Sequence, residues 1–222
     1  MSKTSTLMAG CLLGASLLGA GSALAYGDKS LMYKVTITNL TPGQPLAPVM
    51  VATHRPGVEF FEDGGAPSDE LAQLAEAGNG QPMAEKLGAM PGVDEATVST
   101  DGLTFPGHST TVMISSKRKI THISVGAMLG ATNDAFFAIK DAPVPWFKKK
   151  VTYYAPAYDA GSETNDELGS TVAGLGGEGY SPNDPGEGFT HIHNGVHGIG
   201  DLVPATHGWL NPTAKIVIER VW

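Results

Sequence analysis

The densest chemistry lies in Tyr158-Asp159-Ala160-Gly161-Ser162-Glu163-Thr164-Asn165-Asp166-Glu167, where four acids fall within nine residues. Like charges this close repel unless water solvates them or a cation sits between them. Carboxylate oxygens on a loop bent at Gly161 suit a hard ion such as Ca²⁺, which takes oxygen ligands. The spacing is not that of an EF-hand, which needs Asp-x-Asp-x-Asp-Gly leading to a Glu. A solvated acidic loop fits the same residues, since charge clusters are commonly solvated. The second constellation is His191-x-His193-x-x-x-His197, with His207 ten residues on. On a strand, His191 and His193 share one face. Three imidazoles could hold Zn²⁺ or Cu²⁺ and, with an open position, make a metal-dependent enzyme or a metal-binding protein. No Glu-x-x-His helix pattern accompanies them. Asn194-Gly195 and Gly198-Ile199-Gly200 are turn residues, so loop histidines are the plain alternative. There is no Gly-x-Ser-x-Gly, phosphate-binding glycine loop or dinucleotide fingerprint.

These loops need strands to position them. The chain carries 29 glycines and 15 prolines in 222 residues, which favours an all-β domain with long connections. Residues 1–25 read as an export signal. Lys3 starts it, Leu7 to Leu18 is apolar, and Ala23-Leu24-Ala25 is a cleavage site. The domain is then 26–222, without a transmembrane segment. Cys11, the single cysteine, leaves with the signal, so no disulfide holds the fold. The formal charge of −8 becomes −9 when Lys3 is removed. An acidic surface argues against nucleic acid and against anionic membranes as partners.

Period-two alternation over Tyr33 to Asn39 predicts a half-buried strand ending at Thr41-Pro42-Gly43. Leu46 to His54 is a second strand, and Pro45 and Pro48 suggest a sheet edge. Ser68 or Asp69 caps one short helix that ends at Gly78, and Met83 to Leu87 offers a further turn. Ala96–Thr100, His108–Ser115, Ile120–Leu129, Asp134–Ile139 and Val151–Ala155 are strand runs, as are Phe189–His193 and Ala214–Val221. Lys148-Lys149-Lys150 reads as a lysine-decorated start of a strand. Residues 159–188 form a long glycine-rich loop, unusual in a compact domain and pointing to function or mobility. The sum is an antiparallel β-sandwich with one short inserted helix.

Three stretches together resemble the N-terminal spondin domain (spondin_N) family in its bacterial secreted form. They are Leu46 to His54 with Ala66-Pro67-Ser68-Asp69 and Leu74 to Gly78, then Asn133 to Ile139, then Tyr158 to Glu163. The resemblance spans about Tyr33 to Val221. It implies a C2-like sandwich holding Ca²⁺, with Asp134, Asp159 and Glu163 as ligands. Glu163 stands where the animal family has Asp, one methylene longer, and Phe136-Phe137 replaces Trp-Phe. It further implies a non-enzymatic exported module, periplasmic or extracellular, that serves cell adhesion by binding an extracellular protein or glycan ligand.

Overall fold

The computed structural model describes residues 30–117 and 119–221. The expected signal at 1–25 lies outside the described residues. Among the described residues, ten strands form two antiparallel sheets, with the insertion of helices after the second strand. The strands are β1 Leu31–Asn39, β2 Met50–His54, β3 Val93–Val98, β4 Ser109–Ser116 and β5 His122–Met128. They continue as β6 Ala135–Pro143, β7 Lys150–Ala155, β8 Ala157–Asp159, β9 His191–Ile192 and β10 Ala214–Val221. One sheet runs β4-β1-β10-β7, the other β3-β2-β5-β6-β8-β9. The chain is thus an all-β sandwich. No helix among the described residues is long and apolar enough to cross a membrane.

The four-stranded sheet reads as the alternation predicts. Tyr33, Val35 and Ile37 of β1 and Ile216 and Ile218 of β10 point inward and are fully buried, while the residues between them stay partly exposed. They meet Val51, Ile123, Val125 and Phe137 of the opposite sheet in one core. The six-stranded sheet is covered on its outer face as well. There Met50, Ala52, Phe136 and Ala138 pack against Leu71 and Leu74 of helix α1 (Asp69–Glu76) and Met83 and Leu87 of helix α2 (Gln81–Gly88). Strands buried on both faces lose their alternation, which is why β2 is buried at every position.

The insertion is therefore two helices of eight residues each rather than one. Ser68 caps α1 through its hydroxyl, which accepts from Leu71 N at 3.3 Å. Gly78 follows in the left-handed region at φ +64°, where a glycine ends a helix without strain. The edge position expected for β2 is corrected: it lies between β3 and β5, because both prolines precede the strand and none of its ladder donors is lost. The C-terminal end of the outer edge of β4 is covered by side chains of β3. The Glu95 carboxylate accepts from Ser115 N at 2.8 Å and from its hydroxyl, and Asp94 accepts from Lys117 N at 2.7 Å.

Candidate metal centre

β6 starts one residue after Asp134 and β8 ends on Asp159. The two strands pair antiparallel with Ala135 opposite Asp159, so the two acids meet at one rim of the sandwich. Asp159 in turn lies opposite His191 of β9. Beyond Asp159 the chain must turn away from the sheet at once. Gly161 does this at φ +69°, and a Cβ there would lie 2.3 Å from the Phe189 carbonyl oxygen, so only glycine fits. The returning segment then brings in a third acid. One oxygen each of Asp134, Asp159 and Glu187 lies within 4.8 Å of the other two.

Asp134 is fully buried. Its Oδ2 accepts from Ser162 N at 2.8 Å and Glu163 N at 3.1 Å, while its Oδ1 has no partner. Asp159 accepts from Gly161 N through Oδ1 and from Asn165 Nδ2 through Oδ2, both at 2.8 Å. The same Asn165 amide reaches Glu187 Oε1 at 3.1 Å, tying two acids of the group together. Burial, reinforced by Asp159, holds the Asp134 carboxyl well above its usual range. Burial also raises Asp159. An unpaired buried carboxylate oxygen is costly, and a cation beside it removes that cost. The candidate ligand atoms are carboxylate oxygens, the chemistry of Ca²⁺ rather than of a soft metal.

Glu163 is not part of that group. It is 1 % exposed and both of its carboxylate oxygens lack a partner. Burial, then the charges of Glu76 and Asp134, pushes it up to about 9. Glu76, at the end of α1, is equally buried. Its Oε2 accepts from Ser181 N at 2.6 Å, and its Oε1 is unpartnered. Asp166 and Glu167, the other two acids of the stretch, are engaged with the loop itself. Asp166 Oδ1 accepts from Leu168 N and the Thr171 hydroxyl. The Glu167 carboxylate accepts from the backbone N–H groups of His197, Gly198 and Ile199.

The histidines surround Asp159 without gathering into a ligand set. His191 Nε2 and His193 Nε2 stand 3.9 and 3.8 Å from Asp159 Oδ2. Among the described residues, the acidic trio is the one set of three such side chains whose ligand atoms come this close. Gly195 N donates to His193 Nδ1 at 2.8 Å, which places the ring proton on Nε2 and removes the lone pair a metal would use. Burial, with His191 and His197 nearby, lowers His193 to about 4, so its ring is neutral. His191, His193 and His197 line a cavity of about 170 Å³ together with Asp159, Glu167 and Glu187.

No protein-family model matches the chain, and no curated protein matches it.

Sequence reasoning missed Glu187. It lies between Gly186 and Gly188 in the glycine-rich stretch, and its only signal is an acid at the point where that stretch returns to the sheet.

Proposed function

We propose that the chain is a calcium-binding β-sandwich module that is exported and acts by binding rather than catalysis. The observation that carries this is the convergence of Asp134, Asp159 and Glu187 at the β6–β8 rim, with the buried Asp134 Oδ1 left unpartnered. Asp134 and Asp159 would hold the ion from the rigid sheet, and Glu187 would close on it from the returning loop. Asn165 orients Asp159 and Glu187 from the second layer. The bound ion would supply the charge that offsets carboxylate repulsion and would fasten residues 160–190 to the sandwich.

The motif resemblance to the spondin_N family supports the same ion and suggests adhesion through an extracellular protein or glycan. In that reading Glu163 belongs to the ligand set. Its buried, unpartnered carboxylate is suited to move onto a cation when one binds. Affinity in the range of extracellular modules, roughly 10⁻⁴ to 10⁻³ M, is expected.

The experiment is thermal unfolding in chelator, then with millimolar Ca²⁺ or Mg²⁺. Ligand binding to the folded state adds RT ln(1 + [L]/Kd), about 0.4–1.4 kcal/mol for about 1 mM Ca²⁺ over that range of Kd. Calcium should raise Tm in the wild type and not in Asp159→Asn. An unchanged Tm in the wild type would defeat the proposal. The rival, a zinc- or copper-dependent enzyme at His191, His193 and His197, requires a transition-metal response instead.

A further inference from the structure

The end of the sandwich opposite the acidic rim is built differently. The β6–β7 loop carries Trp146 and Phe147 at its tip, 44 % and 95 % exposed. Lys148, Lys149 and Lys150 follow directly and are all exposed. Strand register places more positive charge at this end. Lys150 lies opposite Glu219, next to Arg220, while Leu31 lies opposite Ser116, so the β4–β5 turn with Lys119 opens on the same side. Arg220 also fixes the loop. Its Nη1 donates to the Trp146 carbonyl and its backbone N–H to the Lys149 carbonyl, both at 2.9 Å. Against six basic residues at this end, Lys117, Lys119, Lys148, Lys149, Lys150 and Arg220, stand four acids: Glu219 across from Lys150, Asp94 paired with Lys117 at 2.8 Å, Glu95 bound to Ser115, and Asp141 near the end of β6, which accepts from Gly57 N.

By contrast, no Lys or Arg occurs between Lys150 and Lys215, the stretch that supplies most of the acidic rim. The net charge, read as an average, argued against anionic membranes. The distribution reverses that argument, because the molecule is polarised along the sandwich and field at a surface is local.

We infer that the Trp146–Lys150 loop docks the protein on an anionic lipid surface. A convex tip of one Trp and one Phe matches the headgroup region, where amphipathic aromatic rings settle. The lysines behind the tip match the negative headgroups, each basic residue near such a surface strengthening binding about five-fold. Nothing in the fold requires two large aromatic side chains to face water here, since Val144 and Pro145 of the same loop are buried. This inference does not rest on the cation reading, because the loop and the acidic rim lie at opposite ends of β6.

The test is co-sedimentation of the purified chain with phosphatidylcholine vesicles, with and without phosphatidylglycerol, in chelator. Wild type is compared with the double variant Trp146→Ser, Phe147→Ser and with Lys148→Glu. The expected result is binding only when phosphatidylglycerol is present, weakened by salt, with a blue shift of tryptophan emission. The double variant should lose binding on the order of ten-fold or more at unchanged Tm, and Lys148→Glu should weaken it. Asp159→Asn should bind vesicles as the wild type does. Three results would overturn the inference: no vesicle binding, equal binding to neutral vesicles, or binding that survives the double variant. Loop-dependent binding of single-stranded DNA without vesicle binding would also overturn it, making the aromatic tip a base-stacking platform.

Discussion

Glu163→Gln isolates the group that the folded protein holds in its least comfortable state. Burial and neighbouring acids raise the Glu163 carboxyl from 4.5 to about 9. Its folded value is above its unfolded one, so its proton stabilises the fold fully below pH 4.5, and that contribution is lost as pH rises toward 9. One proton held by the folded state alone changes stability by about 1.4 kcal/mol per pH unit. Between pH 7 and 8.5 the metal-free protein should therefore lose about 2 kcal/mol, or roughly 4–8 °C in Tm for a chain of this size. His193, lowered to about 4, and His54, lowered too, change stability mainly below this window, and in the opposite sense. Asp134 is also raised and adds to the fall. Glu163→Gln is consequently expected to reduce the slope by about 1.4 kcal/mol per unit rather than abolish it. The assay is thermal unfolding in chelator at half-unit pH steps, wild type against variant. Calcium should reverse the trend, because carboxylates bind the ion only when deprotonated. Parallel slopes for the two proteins in chelator would refute the reasoning, since Glu163 would then hold no extra proton.

Three further outcomes follow from the geometry. Gly161→Ala should destabilise the protein by about 1–3 kcal/mol from backbone strain alone, and by more from the clash with the Phe189 carbonyl, with loss of the calcium response; denaturant melts in chelator and in calcium read both. Phe136→Ala, which empties a fully buried site between β6 and α1, should cost about 3–5 kcal/mol and leave calcium selectivity intact, as seen in urea titrations. Micromolar Zn²⁺ should give no rise in Tm, since the His193 lone pair is used by Gly195; a rise abolished by His193→Ala would restore the metal-enzyme reading.

The four-stranded sheet and α1 were legible because their elements are short and periodic. Tyr33, Val35 and Ile37 announce one face, and Ser68 and Gly78 bracket a helix. The family resemblance pointed to Asp134 and Asp159 together, and topology gives the reason they meet: acids that begin one strand and end its antiparallel neighbour share a rim. β8 escaped because it is three residues long and continues from β7 through Pro156. Glu187 escaped because the path of residues 160–190 is set by side chains gripping distant backbone. Asp184 holds Thr164 and Gly186, and Glu167 holds His197 to Ile199. Such contacts leave no period in a sequence. The exposure of Phe147 was equally hidden, since nothing local distinguishes an aromatic that caps a core from one that stands in water.

The acids of β3 have a consequence for self-association. An edge strand is a template on which a second chain can add, and proteins guard such edges. At the C-terminal end of β4 the donors of Ser115 and, one residue past the strand, Lys117 are already occupied by Glu95 and Asp94. A strand approaching that end of β4 would have to displace two charge-assisted hydrogen bonds and meet two carboxylates. That end of the edge is therefore guarded, and strand addition there is opposed by the same side chains that hold the two sheets together along that seam.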